Sequence, residues 1–175
     1  MLDFIAVAVL VVVALLWIPY IMRTTKFGAP FVPTEPDVVQ RVLDLAEVGA
    51  GDVFYDLGSG DGRLVIGAAL HGAQAFGIEI DRLRAWYSKV WIALLRLGKN
   101  ARIMQTNFFD IDLSDATVVC LYLLQETNEK IQEKLEEELR PGTRVVSVAF
   151  TFPGWEPVAV DPEGTVYGPI YLYKR

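Results

Sequence analysis

Val53-Phe-Tyr-Asp-Leu-Gly-Ser-Gly-Asp-Gly62 decides the fold of this chain, because an apolar run leads there directly into three alternating glycines. A second apolar run, Gly77-Ile-Glu-Ile-Asp81, follows it and carries a carboxylate at Glu79. In parallel sheets a strand leads into a tight turn, glycines let the backbone approach a ligand, and the next strand presents a carboxylate to ribose hydroxyls. The two runs therefore predict a nucleoside-type ligand at the carboxyl end of a parallel sheet.

The spacing of the glycines distinguishes between cofactors. A dinucleotide site uses G-x-G-x-x-G, and Arg63 occupies the position of its third glycine here. Asp56 followed by Gly58, Gly60 and Gly62 is instead the D-x-G-x-G-x-G loop typical of class I S-adenosylmethionine (SAM) methyltransferases. The loop suits the methionine arm of SAM, since backbone N–H groups accommodate its carboxylate and the aspartate attracts its ammonium. We therefore predict SAM as the cofactor.

The ends of the next two strands predict the rest of the cofactor site. Glu79 suits the ribose diol, and Ile80 can pack against the face of the adenine. Asn107 follows the third predicted strand and can accept a hydrogen bond from the adenine amine, while the backbone of Phe108 serves the edge of the ring. The Phe108 ring is explained equally well as part of the core. Ser59 completes the cofactor-binding residues within the loop.

The N-terminus contains a candidate membrane anchor. Phe4–Met22 carries no charge, and as a helix these residues span roughly 28 Å, close to the apolar thickness of a bilayer. Arg23 and Lys26 follow the run, which favours a cytoplasmic location for the rest of the chain. No basic segment precedes the run and no small-residue cleavage site follows it, which argues against a signal peptide. A buried core helix is the alternative. We predict a single-pass membrane protein with an anchor at 1–26 and a connector at 27–36.

Strands and helices alternate over residues 37–175, the predicted methyltransferase domain. Strands are expected at Val53–Leu57, Ala75–Ile80, Arg102–Gln105, Thr117–Tyr122, Arg144–Phe150, Val158–Val160 and Thr165–Tyr173. Helices are expected from an N-cap at Thr34 to Glu47, and at Leu64–Leu70, Arg82–Leu97 and Glu126–Leu139. This rhythm predicts a Rossmann-like, doubly wound seven-stranded sheet of the α/β class. Its last two strands should pair around Asp161-Pro-Glu-Gly164, and Trp86 and Trp91 should face the core.

Composition limits the choice of partners. The chain has 16 basic and 22 acidic residues and a formal net charge of −6, which argues against nucleic acid as a partner. An acidic surface attracts basic polypeptides, although solubility explains it equally well. The single cysteine, Cys120, lies in an apolar run and is expected to be a buried thiol in a reducing compartment. His71 is the only histidine, so no metal site is predicted.

Several segments together resemble a known group of enzymes. They are Pro30-Phe-Val-Pro-Thr34, Tyr55–Arg63, Gly77–Asp81, Leu121-Tyr-Leu-Leu124, Pro141–Ser147 and Trp155. The chain resembles the small archaeal protein-lysine methyltransferases and the mitochondrial membrane enzymes that methylate the adenine nucleotide translocase and the ATP synthase c-subunit. The resemblance covers about residues 30 to 157. Those relatives often have Asp at the position of Asn107 and His at that of Val148. The resemblance therefore implies one weaker adenine contact here, and it carries over no role for a histidine near the substrate.

The resemblance implies methylation of lysine side chains on a protein substrate, including membrane-associated proteins. Transfer is then an in-line attack by a neutral amine, for which orientation and a desolvating channel suffice without a strong base. Tyr122 is the candidate for orienting the amine. Thr34, also a candidate cofactor contact, and Trp155 are candidate walls of the channel. Two alternatives remain open, a methyltransferase of a lipid or small molecule and a non-catalytic SAM-binding subunit.

Overall fold

The computed structural model describes residues 32–175, in which the glycine-rich segment lies at the middle of a sheet. The strands are β1 (Val53–Leu57), β2 (Gln74–Ile78), β3 (Ala101–Met104), β4 (Val118–Leu121), β5 (Arg144–Val148), β6 (Ala159–Thr165) and β7 (Gly168–Lys174). The helices are α1 (Pro36–Leu45), α2 (Arg63–Leu70), α3 (Arg82–Leu94) and α4 (Gln125–Glu138), with a 3-10 turn at Phe108–Asp110.

The seven strands form one sheet in the order β3-β2-β1-β4-β5-β7-β6. Strands β1 to β5 pair in parallel, whereas β7 pairs antiparallel with β5 and with β6. The predicted doubly wound seven-stranded sheet with a terminal antiparallel pair is confirmed. The strand order reverses between β1 and β4, and ligands of such sheets bind in the crevice at that reversal, beyond the carboxyl ends of the strands.

Both faces of the sheet are covered by helices. Right-handed crossovers place α2 and α3 on one face and α4 on the other. Helix α1 packs on α2 through Val38, Val42 and Leu43, which are fully buried. A Cβ at Gly67 of α2 would lie 2.7 Å from Leu43 Cδ1, so the two helices pack closely at this glycine. This packing positions the start of α1 beside the glycine loop.

Helix α3 packs differently from the expectation. Its buried residues are Ala85, Ser88 and Ile92, which form a narrow stripe at helical spacing. A Cβ at Gly62 would lie 2.9 Å from the Cβ of Ser88, so the helix approaches the glycine loop too closely for large side chains. Trp86 is 64% exposed. The prediction that the large apolar residues of this helix form core is therefore wrong.

The predicted start of the first helix also changes. Glu35, rather than Thr34, precedes the first turn of α1, and its side chain makes no capping hydrogen bond. Pro36 at the first position starts the helix instead, because its fixed φ suits that position. The predicted N-cap at Thr34 is wrong, and Thr34 is a buried residue before the helix.

The terminal hairpin turns later than expected. Strand β6 runs through Asp161-Pro-Glu-Gly164 with a shift in register, and the chain reverses at Val166-Tyr167. Arg41 of α1 holds the irregular segment through Asp161 at 3.2 Å and Glu163 at 3.0 Å. The turn-forming composition of the segment therefore produces a bulge in a strand, and the predicted turn is wrong.

The remaining strands and helices lie within a few residues of their predicted bounds. The compact unit comprises Pro33–Arg175. The predicted anchor at Phe4–Met22 lies outside the described residues. Within residues 32–175, no helix combines the length and the apolar character that crossing a bilayer requires.

Candidate active site

The loop after β1 has a backbone that only glycines adopt readily. Gly58, Gly60 and Gly62 have φ angles of +84°, +55° and +81°. A Cβ at Gly58 would also lie 2.9 Å from Cδ2 of Leu123. The alternating glycines therefore let the chain turn sharply at the crevice while the segment after β4 packs closely against it.

The loop is held by its own hydrogen bonds. The N–H groups of Gly58 and Ser59 donate to the carbonyl of Ile78 at 2.9 and 3.0 Å. The N–H of Gly60 donates to Oε2 of Glu79 at 2.8 Å. These three N–H groups are therefore not the free donors that the sequence predicted for the methionine carboxylate. They fix the loop to the end of β2 instead.

Asp56 is a buried carboxylate near the end of β1. It is 4% exposed, and its carboxylate has no hydrogen-bond partner among residues 32–175. Burial, followed by the charges of Glu79 and Asp61, raises the pKa of Asp56 to about 8. Cys120, its in-register neighbour on β4, is the buried thiol that the sequence predicted. A carboxylate without a counter-charge favours a cation in the crevice.

Glu79 is equally buried, but its charge is satisfied. It is 4% exposed, and Oε2 accepts from Gly60 while Oε1 accepts from the N–H of Asp81 at 2.8 Å. Burial raises the pKa of Glu79, and the two backbone hydrogen bonds oppose that rise. Each carboxylate oxygen retains a lone pair. Glu79 can therefore accept from two ribose hydroxyls while it continues to hold the loop.

The predicted adenine contacts lie at the ends of β2 and β3. Ile80 is exposed immediately after β2. Asn107 caps the 3-10 turn, and its Oδ1 accepts from the N–H of Phe109 at 3.2 Å. Phe108 is half-buried against Phe109, with ring centroids 4.8 Å apart. Neither ring is buried core, and the amide of Asn107 has a local role in addition to the one proposed for adenine.

The hydroxyl of Ser59 lies against β2. Its oxygen is buried and has no hydrogen-bond partner in the described part of the chain. A Cβ at Gly77 would lie 2.6 Å from that oxygen, so the Ser59 side chain packs over β2. Ser59 therefore packs the loop closely on the sheet, and its role toward a cofactor stays a prediction.

Arg63 is a site residue that the sequence did not identify. Its Nε donates to Oδ1 of Asp61 at 2.9 Å, and its Nη1 donates to the carbonyl of Thr34. The hydrogen bond with Asp61 raises the pKa of Arg63, so the guanidinium stays charged. It joins the segment before α1 to the glycine loop. The two-residue spacing of Asp61 and Arg63 was the available indication of this ion pair.

Tyr122 lies directly after β4, beside the crevice. Its side chain is half-buried, and the side chain of Thr165 on β6 lies near its hydroxyl. Burial raises the pKa of Tyr122, the nearby Thr165 side chain opposes the rise, and the nearby Tyr167 and Glu35 add to it. Tyr122 is therefore bordered by the β6–β7 hairpin and by the residue before α1. The hairpin residues were not predicted to reach this place.

Residues 56–159 match the ANTKMT methyltransferase domain. This chain is a member of that methyltransferase family. It is 44% identical over 155 residues to a protein-lysine N-methyltransferase of Saccharolobus islandicus, covering 82% of this chain and 92% of the relative. It is 31% identical to a lysine N-methyltransferase of the ATP synthase c-subunit from Xenopus laevis, covering 79% of this chain. The chain spans only 61% of that longer relative.

A solved structure agrees with the cofactor assignment. The structure of a Salinibacter ruber protein described as an RNA methyltransferase, in complex with S-adenosyl-L-homocysteine, is 43% identical. The TM-score is 0.77, with 82% of this chain and 93% of that one covered. The unpaired Asp56 carboxylate, the positive-φ glycines and the two free lone pairs of Glu79 fit SAM. The protein is a SAM-dependent methyltransferase.

One predicted wall of the methyltransferase's acceptor channel is elsewhere. Trp155 packs on Phe152 and Tyr173, with centroid distances of 4.8 and 5.6 Å, and its Nε1 donates to Glu136 of α4 at 2.7 Å. Tyr173 pairs with Val145 near the start of β5. The cluster therefore lies toward the amino ends of the parallel strands, away from the crevice, and the prediction for Trp155 is wrong.

Proposed function

We propose that this methyltransferase transfers a methyl group from SAM to lysine side chains of proteins, including proteins at a membrane. The cofactor half of the proposal is supported by Asp56, a buried carboxylate that lacks a counter-charge within residues 32–175. The acceptor half is supported by the similarity to the Saccharolobus islandicus protein-lysine N-methyltransferase and by the position of Tyr122, which follows β4 where the strand order reverses.

Asp56 and Glu79 bind different parts of the cofactor. Asp56 pairs with the ammonium of the methionine arm, because that is the cation its buried carboxylate lacks. Glu79 accepts from the ribose hydroxyls while its hydrogen bonds to Gly60 and Asp81 keep it in place. Ile80 and Asn107 serve the adenine. SAM supplies, when bound, the electrophilic sulfonium methyl group.

Tyr122 and its neighbours receive the acceptor lysine. Glu35 is exposed at the rim and attracts the lysine ammonium. The half-buried surroundings of Tyr122 disfavour a charged amine, which lowers the lysine pKa and releases a proton to water. The Tyr122 hydroxyl then orients the neutral amine. Alignment of that amine with the methyl group of bound SAM would supply on the order of 7–11 kcal/mol of the barrier.

The membrane part of the proposal is supported by Phe4–Met22 and the cations that follow it. A single-pass anchor of this orientation keeps residues 37–175 on the cytoplasmic side. An anchor raises the local concentration of the enzyme relative to substrates at the same membrane. Proteins with an accessible lysine near the bilayer are therefore the proposed substrates.

The test uses the full-length protein in detergent with methyl-labelled SAM and a host extract. Protein, lipid and RNA fractions are separated, and the labelled protein is digested and analysed by mass spectrometry. We expect label in methyl-lysine and none with an Asp56→Asn control. RNA is included because the Salinibacter ruber structure is described as an RNA methyltransferase, although the net charge of −6 opposes RNA binding.

Each other outcome contradicts the lysine assignment in a distinct way. Label only in the lipid fraction indicates a lipid or small-molecule methyltransferase, and label only in RNA indicates an RNA enzyme. Absence of label from every fraction, with SAM binding demonstrated by calorimetry on the same sample, indicates a non-catalytic SAM-binding subunit.

A further inference from the structure

Helix α3 presents its large apolar side chains to solvent. Leu83 is 66% exposed, Trp86 64% and Leu94 67%, and Tyr87 and Trp91 are also exposed. Leu83, Tyr87 and Leu94 recur at spacings of four and seven residues, on the side of the helix opposite the buried stripe of Ala85, Ser88 and Ile92. A helix that packs through small residues and exposes large ones has an outward apolar face along its whole length.

Helix α3 and the residues that follow it, as far as Phe109, are strongly basic although the protein as a whole is acidic. Between Arg82 and Phe109 there are six basic residues and no Asp or Glu, whereas the whole chain carries a net charge of −6. The exposed cations of this segment are Arg82, Lys89, Arg96, Lys99 and Arg102. Among the described residues, none of these five forms a salt bridge. Their charge is therefore available to an anionic partner.

We propose that the outward face of α3 docks on an anionic lipid surface. Interfacial helices combine Trp and Leu on one face with Lys and Arg beside it, and they bind through apolar burial plus attraction to anionic headgroups. The aliphatic Leu83 and Leu94 favour a bilayer over a nucleic acid, because acyl chains are apolar whereas the backbone and the groove edges of a nucleic acid are polar. The uncharged run Phe4–Met22 in the same chain is consistent with a membrane location.

The docking face is continuous with the active-site region. Tyr87 and Trp91 also line a groove of about 370 Å³ with Pro36 and Ile66, and Asp61 and Arg63 of the glycine-loop region close it. Helix α3 begins at the carboxyl edge of the sheet, just after Glu79. Docking through α3 therefore brings the crevice near the bilayer surface. The proposal goes beyond methyl transfer and does not depend on which group accepts the methyl.

The test places an environment-sensitive fluorophore on α3 of the full-length protein. Position 93 is exposed on α3, and Ala93→Cys removes none of the large apolar side chains of the helix. The native Cys120 is buried and therefore protected from labelling. Glu133→Cys, exposed on α4 across the sheet, is the matched control. Each labelled protein is mixed with vesicles of phosphatidylcholine and phosphatidylglycerol in equal parts, or of phosphatidylcholine alone. Flotation measures binding, and spin-labelled lipid measures contact.

We expect the label at position 93 to brighten and to be quenched by spin-labelled lipid on the anionic vesicles only, and the label at position 133 to do neither. Arg82→Gln with Lys89→Gln should weaken docking by roughly fivefold for each cation removed. Leu83→Ser with Trp86→Ser should abolish quenching while the circular dichroism spectrum stays unchanged. These two pairs are exposed, so the fold is not at risk.

The other results overturn the proposal. Vesicles that float the protein without quenching position 93 mean that another segment, such as the N-terminal run, makes the contact. Equal quenching at positions 93 and 133 means that the contact is not specific to α3. Brightening at position 93 with RNA but not with vesicles assigns the face to nucleic acid, and failure to float with either vesicle removes a lipid role altogether.

Discussion

Replacing Asp56 by Asn should stabilise the cofactor-free protein at neutral pH. The pKa of Asp56 is raised to about 8 in the folded chain, mainly by burial, whereas an unfolded aspartate titrates near 3.9. At pH 7 folding therefore returns a proton to a group that is ionised in the unfolded chain. One pKa unit is worth about 1.4 kcal/mol, and roughly three units separate 3.9 from pH 7, so the variant should gain about 4 kcal/mol.

The sign of the pH dependence follows from proton linkage. Because the folded pKa of this carboxyl is raised, the folded protein binds more protons than the unfolded chain between about pH 4 and 8. The stability of the native protein should therefore fall through that window relative to Asp56→Asn, and the gap should close toward pH 4 and level off above pH 8. Asp112→Asn is the control. A hydrogen bond from the N–H of Ser114 lowers the pKa of Asp112, so this variant should lose stability at pH 7 where Asp56→Asn gains it.

Urea unfolding of the two variants and the native protein between about pH 4 and 8 measures this difference. A variant that gains no stability at pH 7, or whose gain does not shrink with decreasing pH, would refute the reasoning from an unpaired buried carboxylate.

SAM binding should show the reciprocal effect. If the ammonium pairs with ionised Asp56, binding expels a proton, so the affinity should rise up to tenfold per pH unit between about pH 5.5 and 7.5. The upper limit is set by the amine of SAM, since α-amino groups lose their proton near 7.7–8.0. Methylthioadenosine, which lacks the ammonium, is the control ligand and should bind independently of pH. Calorimetry showing a flat SAM affinity, or equal slopes for both ligands, would contradict the assignment of Asp56.

Three further predictions test the loop, the second carboxylate and the acceptor side. Gly58→Ala should lower the free energy of unfolding by about 1–3 kcal/mol, because of its φ of +84° and the 2.9 Å approach of Leu123; thermal unfolding against Gly49→Ala, which has an open environment, checks it. Glu79→Gln should shift the pH dependence of SAM binding to lower pH, because the Glu79 charge helps to raise the pKa of Asp56; an unshifted profile by calorimetry would exclude that coupling. Tyr122→Phe should lower kcat by roughly 10- to 100-fold with the Kd of SAM unchanged, because only the amine loses its orienting hydroxyl; full turnover in the labelling assay would remove the hydroxyl from the mechanism.

The cofactor half of the site could be predicted because it depends on local sequence. The turn after β1 needs positive φ at Gly58, Gly60 and Gly62, and Glu79 follows on the adjacent strand, so both features appear within one short segment. The acceptor half depends on distant segments. Thr165 and Tyr167 reach Tyr122 only because β7 pairs antiparallel with β5 and β6 folds back on it. Spacing along the chain contains no indication of that proximity.

The errors have related physical causes. The face of α3 was assigned to the core because large apolar residues usually are buried, but Gly62 brings the helix so close to the loop that only small residues fit beneath it. The turn was placed at Asp161-Pro-Glu-Gly164 because its composition is typical of a turn, but Arg41 of α1 holds that segment in β6. In both cases a contact from a distant part of the chain outweighed local preference.

The two buried carboxylates differ in their hydrogen-bond partners, and this difference assigns a separate role to each. Glu79 receives two backbone N–H groups, which favour its ionised form, whereas Asp56 has no such partner among the described residues. The charge of Glu79 then adds to burial in raising the pKa of Asp56. A ligand with hydroxyls beside Glu79 and a cation beside Asp56 therefore relieves both carboxylates at once. Because an uncharged nucleoside offers only the first of these contacts, the unpaired Asp56 is what favours an aminoacyl-bearing nucleoside such as SAM over adenosine alone.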